Sequence, residues 1–169
     1  MGNSGDSWWN MLLTGTFSRS IDEKLRVAMP RSLREVLGCS EGGALYLAPG
    51  TDGSLAIYTE EALGQLGQRL AMASPTQQSV RAYMRLFYAR AQRAELDRQG
   101  RIRIPPELAE LAGLGKEVLL LGVQDHLELW SPERWKAYFA DKQARYDEIA
   151  EAAFGGPEGW QSGPPHRSA

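Results

Sequence analysis

Asp97-Arg98-Gln99-Gly100-Arg101-Ile102-Arg103-Ile104-Pro105 is the second of two similar stretches in this chain of 169 residues; the first is Asp22-Glu23-Lys24-Leu25-Arg26-Val27-Ala28-Met29-Pro30. At a constant offset of 75, Asp22 falls on Asp97, Arg26 on Arg101, Val27 on Ile102, Met29 on Ile104 and Pro30 on Pro105. The match continues with Leu33 on Leu108, Glu35 on Glu110 and Gly38 on Gly113. Further along, an offset of 72 aligns Leu55-Ala56-Ile57-Tyr58-Thr59 with Leu127-Glu128-Leu129-Trp130-Ser131. The change of offset falls in loops, where length differences are tolerated. Two copies argue for a duplicated module and against a solenoid, which needs at least about three repeats.

Each copy has a readable local structure. Ile102 and Ile104 alternate with Arg101 and Arg103, the period-2 pattern of a half-buried strand. Pro105-Pro106 ends it and starts a short helix over 107–112, closed by Gly113. Residues 118–123 read as a strand, Gln124-Asp125-His126 as a tight turn, and 127–130 as the returning strand. Ser131 and Pro132 then start a helix. The first copy follows suit: strand 25–29, helix 31–37, strands 44–48 and 55–58, and a helix capped by Thr59 running to about Leu70. Two longer helices are expected, 78–95 and 132–154, each with one apolar or aromatic stripe. Gly and Pro enrichment predicts a disordered tail at 155–169, and residues 1–10 read as a disordered N-terminal extension.

Composition bounds the function. The chain is 43% hydrophobic and 24% charged, enough apolar content for a packed core and no coiled-coil or collagen bias. No apolar run approaches the roughly 18 residues of a membrane span, and no secretory signal is visible, so a cytoplasmic protein without a membrane partner is expected. Cys39 is the one cysteine, which forbids an internal disulfide. The formal net charge of −2 weighs against nucleic acid only as an average. Residues 69–103 carry 8 arginines against Glu95 and Asp97, a local +6, while the chain from Ile104 onward carries 6 basic and 11 acidic residues. Such a segment reads either as a solvated helix face or as an electrostatic footprint for phosphates.

Catalytic readings come out poor. His126 sits in a turn and His166 in the tail, with no ligand spacing around them, so no metal and no cofactor is expected. Gly50-Thr51-Asp52-Gly53-Ser54 is glycine-rich, but it joins two strands of a hairpin, which accounts for it. Glu60-Glu61 lie at a helix start, where the dipole explains them. The chain is read as no enzyme, with no small-molecule substrate.

Function is therefore sought in the repeated motif. An Asp four residues before an Arg can hold the guanidinium in one orientation, which lowers the entropy lost when that group engages a ligand. The same pair also serves as a plain structural ion pair at a strand start. Around the first copy stand Arg19, Lys24, Arg31 and Arg34; around the second, Arg98 and Arg103. If the modules pack about a pseudo-twofold axis, the clusters become repeated sites suited to a repeated ligand such as the phosphates of duplex DNA.

Asp-x-x-x-Arg followed by alternating apolar residues and proline, twice in one chain, resembles the MraZ family of paired AbrB/SpoVT-type modules. Glu117-Val118-Leu119-Leu120-Leu121-Gly122 and Leu127-Glu128-Leu129-Trp130 look like that family's second half, and the match runs over about residues 11–154. The resemblance implies an α+β fold in which each strand–short helix–hairpin–helix module contributes to an AbrB-like swapped-hairpin β-barrel with flanking helices. It places the first module at 11–74 and the second, with its leading and trailing amphipathic helices, at 75–154.

It further implies a sequence-specific transcriptional regulator associated with the nucleoid. Such a protein acts on the division and cell-wall gene cluster through repeated promoter elements, with double-stranded DNA and a ring-shaped homo-oligomer as partners. Carried over by position, Arg26 and Arg101 are the motif arginines, Asp22 and Asp97 orient them, Lys24 matches the family's lysine, and Arg98 and Gln99 fill the corresponding stretch of the second motif. With the neighbouring bases Arg31 and Arg103, the expected DNA-binding residues are Lys24, Arg26, Arg31, Arg98, Arg101 and Arg103. The other reading is an AbrB-fold protein-interaction module, antitoxin-like or an oligomeric scaffold. One departure stands out. The family carries glycine before the motif arginine, and this chain has Leu25 there in the first copy, which predicts a reshaped first loop.

Overall fold

In the computed structural model, which describes residues 11–39, 42–73 and 76–155, the first module runs β1 (Thr16–Ser20), β2 (Arg26–Ala28), α1 (Arg31–Leu37), β3 (Ala44–Pro49), β4 (Leu55–Thr59) and α2 (Glu60–Met72). After α3 (Gln78–Tyr88), the second module repeats the order: β5 (Gln92–Glu95), β6 (Arg101–Arg103), α4 (Pro106–Leu111), β7 (Glu117–Val123), β8 (His126–Trp130) and α5 (Pro132–Gln143), followed by α6 (Tyr146–Ala153). The expected terminal extensions, 1–10 and 155–169, lie outside the described residues apart from Gly155.

The sequence reading needs three corrections. Residues 92–95 are a strand, not the end of a helix over 78–95, because α3 stops at Tyr88 and the next residues pair with β3. A leading strand, β1, precedes the first motif. The helix expected over 132–154 is two helices, broken at Ala144 and Arg145.

Six strands form one antiparallel sheet in the order β1-β7-β8-β4-β3-β5. The order is a palindrome under exchange of the modules. At its centre β4 and β8 pair, with Leu55 opposite Leu129 and Ile57 opposite Leu127 around Ala56 and Glu128. At its ends each leading strand pairs with the other module's hairpin: β1 lies on β7, with Ser18 opposite Leu119, and β5 on β3, with Leu45 opposite Ala94. The modules have thus exchanged strands. β1 and β5 each have a single strand neighbour, so the described strands make an open sheet and not the expected closed barrel.

A two-stranded ribbon of β2 and β6 stands apart from this sheet. Val27 faces Ile102 at its centre, flanked by Arg26 opposite Arg103 and Ala28 opposite Arg101, so the internal two-fold passes through the ribbon as well. Val27 and Ile102 are fully buried and join one core with Leu45, Leu47, Leu55, Ile57, Leu120, Leu127 and Leu129 from both hairpins. A second, smaller cluster of Ala48, Leu63 and Phe87 packs α2 and α3 against β3. In α2, Thr59 Oγ1 accepts a hydrogen bond from Ala62 N at 3.1 Å, the N-cap its position demands.

The chain divides into two compact units, one of the described residues up to Pro132 and one from Glu133. Within the latter, Trp135 stacks on Tyr138 at 5.9 Å and leans on Phe139 at 5.8 Å. Arg145 pairs with Glu148 at 3.3 Å at the start of α6.

At Gly122 the N-terminal segment comes close against the backbone of β7. A Cβ there would lie 2.6 Å from the carbonyl carbon of Leu13 and 2.7 Å from Thr14 Cα, so the N-terminal segment can lie over β7 only while residue 122 has no side chain. Leu13 is fully buried and exchanges 2.9 Å backbone hydrogen bonds with Gln124 in both directions. Gly122→Ala is expected to displace residues 13–14 and lower stability by about 1–3 kcal/mol, as measured by urea unfolding.

Candidate nucleic-acid interface

The two motif loops have one geometry. In the first, Asp22 Oδ1 accepts from the backbone N–H groups of Lys24 and Arg26, both at 2.9 Å, and Asp22 Oδ2 accepts from Arg26 Nε at 2.7 Å. In the second, Asp97 Oδ1 accepts from Gln99 and Arg101, again both at 2.9 Å, and Oδ2 from Arg101 Nε at 2.8 Å. The turns close alike, through Leu25 N to Asp22 O at 2.9 Å and Gly100 N to Asp97 O at 3.0 Å. Across the ribbon, Met29 N donates to Gly100 O at 2.9 Å and Ile104 N to Leu25 O at 2.7 Å.

This corrects the expectation of a reshaped first loop. Leu25 takes φ 59°, close to the 72° of Gly100, and carries the same bonds. A leucine in this region costs on the order of 1 kcal/mol, which burial of part of its side chain against the core offsets.

The carboxylates are the pivots of both loops. Each is held below the usual aspartate value of 3.8, first by the backbone N–H of its motif arginine; desolvation is the next largest effect and opposes it, and the guanidinium adds to the lowering. A depressed carboxylate stabilises the loop above its unfolded value, and that contribution is lost as pH falls through the folded value. In a pH titration followed by NMR, the Arg26 and Arg101 amide signals are expected to move with midpoints below 3.8. In Asp22→Asn and Asp97→Asn variants the corresponding transition should vanish.

Because each ion pair is made through Nε, the terminal amino groups of Arg26 and Arg101 remain for other partners. One of those on Arg101 also lies 3.8 Å from Asp22 Oδ2, which ties the second motif to the first. Both arginine side chains are about one-third exposed, at 31% and 27%. A pair so placed contributes little to stability and much to orientation.

Alternation along β2 and β6 puts Val27 and Ile102 inward and Arg26, Ala28, Arg101 and Arg103 outward. Lys24, Arg98 and Arg103 are exposed beside them. Arg31, at the start of α1, is exposed and pairs with Glu35 at 3.0 Å. The eight arginines of 69–103 do not form one patch: Arg69 pairs with Asp125 at 3.4 Å, Arg90 with Glu107 at 3.2 Å and Arg93 with Glu95 at 2.6 Å. Of the 69–103 arginines, it is Arg98, Arg101 and Arg103 that stand on or beside the ribbon.

His126 lies elsewhere, and it opens β8, paired with Val123, where the sequence reading put it in the turn. Its ring stacks on Tyr58 at 5.1 Å and lies between Asp125 Oδ1 at 2.7 Å and Glu128 Oε1 at 3.3 Å. Burial disfavours its charged form, but the hydrogen bonds that the charged ring donates to Glu128 and Asp125 outweigh that and raise its pKa. The surroundings are those of a structural ion pair. Among the described residues no group of three or more His, Cys, Asp or Glu could hold a metal, and no helix is long and apolar enough to cross a membrane.

Comparison with known proteins decides the family. The transcriptional regulator MraZ of Alkaliphilus oremlandii is 39% identical over 139 residues, which cover 82% of this chain and 94% of that protein. The chain belongs to the MraZ family. The MraZ transcriptional regulators of Heliobacterium modesticaldum and Lactobacillus delbrueckii are 37% and 35% identical, each over 83% of this chain and 95% of theirs. A family model for the MraZ protein, described as antitoxin-like, matches residues 87–156, which include the second motif. A solution structure from Pyrococcus horikoshii is 14% identical with a TM-score of 0.34, over 72% of this chain and 96% of that one.

Within the MraZ family's motif pattern, the structure adds a contact that the motifs did not flag. The Arg34 guanidinium lies against Gly100, so a residue of the first module touches the motif loop of the second. The offset of 75 holds the signal, since it sets Arg34 on Ala109 and Leu25 on Gly100, a reciprocal exchange of large and small.

Proposed function

We propose that this chain is a transcriptional regulator that binds double-stranded DNA sequence-specifically through the β2–β6 ribbon. Lys24, Arg26, Arg31, Arg98, Arg101 and Arg103 supply the cations, and Asp22 and Asp97 set the two motif arginines. The observation that carries this reading is the ribbon itself, where three of four outward positions are arginine and two of those are fixed by a carboxylate with identical geometry in both modules. The names of its relatives support the same reading.

The modules at 11–74 and 75–154 act as an AbrB-like swapped pair, for which the exchanged leading strands speak. The regulator works as a ring-shaped homo-oligomer, associated with the nucleoid in the cytoplasm, on repeated promoter elements of the division and cell-wall gene cluster. It needs no cofactor and turns over no substrate. Exposed Tyr83 and Leu86 on α3, and Phe139, Tyr146 and Phe154 in the C-terminal unit, favour self-association.

A footprint of the purified protein on the DNA upstream of its own gene tests the reading. Protection of regularly spaced short repeats, lost steeply as salt rises, is expected. Uniform or absent protection would replace it with a protein-interaction role, antitoxin-like or that of an oligomeric scaffold.

A further inference from the structure

The motif loops have one backbone but opposite packing. A Cβ placed on Gly100 would lie 2.7 Å from a terminal nitrogen of Arg34, 2.8 Å from its Cζ and 3.0 Å from Nε. The guanidinium therefore lies over the glycine, in the space a side chain there would take. Gly100 is itself buried, and Arg34 Nε is buried with no hydrogen-bond partner. A guanidinium that leaves a buried donor unsatisfied is not seated there for its hydrogen bonds, since such a donor carries a desolvation penalty. Shape accounts for the placement. The positions equivalent to Gly100 and Arg34 are Leu25 in the first module and Ala109 in the second, and half-buried Leu25 packs on the core that includes Ala109. The offset of 75 thus sets a large residue and a small one at both pairs of positions, with large and small exchanged.

We infer that Arg34 is a positioning residue for the second motif: its guanidinium plate does over Gly100 what the Leu25 side chain does in the first loop, and so holds the loop that aims Arg101. The inference rests on the DNA-binding reading. Glycine at φ 72° has no side chain of its own to anchor the loop, and it is the most conformationally free residue a turn can use. Without a plate above it the Asp97 turn would be sampled less often in the bound geometry, and ordering it would be charged against DNA affinity.

The test compares full-length Arg34→Ala, Arg34→Lys, Arg101→Ala and the double variant Arg34→Ala/Gly100→Leu. DNA affinity is measured across a salt series, with melting temperature and amide exchange at Gly100 and Arg101 alongside. Arg34→Ala and Arg34→Lys should each weaken binding on the order of tenfold at an unchanged salt slope and speed exchange at the loop, because an ammonium provides no plate. The double variant sets leucine and alanine at these two positions, as at the equivalent Leu25 and Ala109, and should recover most of both losses.

Wild-type affinity in Arg34→Ala, with Arg101→Ala impaired, overturns the proposal alone. A salt slope reduced by about 0.9 in Arg34→Ala and preserved in Arg34→Lys overturns it too, because Arg34 would then be a phosphate contact. If Arg101→Ala binds as the wild type does, the DNA-binding reading fails and takes this proposal with it.

Discussion

Replacing Arg26 and Arg101 together by alanine is expected to lower DNA affinity on the order of a thousandfold while leaving the fold in place. A side chain that contacts a base or phosphate from an oriented position contributes about 1–3 kcal/mol, and the two stand at equivalent positions of one ribbon. The fold should tolerate the change because both side chains are only part-buried. The loop geometry resides mainly in bonds that alanine keeps. Asp22 Oδ1 still accepts from the backbone of residues 24 and 26, and Asp97 Oδ1 from residues 99 and 101. Fluorescence anisotropy on labelled promoter DNA reads the loss, and circular dichroism reads the fold. A double variant with wild-type affinity would show that the ribbon is not the DNA-binding surface.

Ile102→Ala is expected to cost about 2–5 kcal/mol, the range for truncating a fully buried branched side chain. The position carries more than its own contacts. Ile102 faces Val27 on the internal two-fold, in a core fed by both hairpins, and each leading strand belongs to the other module's half of the sheet. The damage should therefore reach both modules at once. Residue-resolved hydrogen exchange should show the β3 and β7 amides losing protection together in a single transition. Independent loss of one hairpin would mean that the modules fold separately in spite of the exchange.

Most of the fold is legible in the repeat, and the parts that are not have particular causes. Both leading strands escape a reading by pattern. Thr16-Phe17-Ser18-Arg19-Ser20 and Gln92-Arg93-Ala94-Glu95 are short, mostly polar sheet edges, so apolar alternation has little to act on. Gln92–Glu95 also prolongs the arginine-bearing helical pattern ahead of it, and only pairing with β3 pulls it into the sheet. The break at Ala144 and Arg145 has neither Gly nor Pro to announce it. At the site, the Asp and Arg of each motif are legible because a four-residue spacing fixes a local loop. Leu25 at φ 59° is not, since it depends on the core it packs against, and much of that comes from the other module. Local rules hold where a residue's partners are its neighbours in sequence, and they give out where the modules meet.

The ribbon also has a direction. A dimer of identical modules presents the same face after a half-turn, so it can only match a target that reads alike from both strands. Here the half-turn sets Arg103 on Ala28 and Arg34 on Ala109, and the surface does not superpose on itself. Within one chain the two modules need not be identical, and here they differ at these positions. The result is a head and a tail: a duplex laid across this axis meets three arginines in an order that reverses when the duplex is turned end for end. A ligand matched to such a surface would have an orientation too.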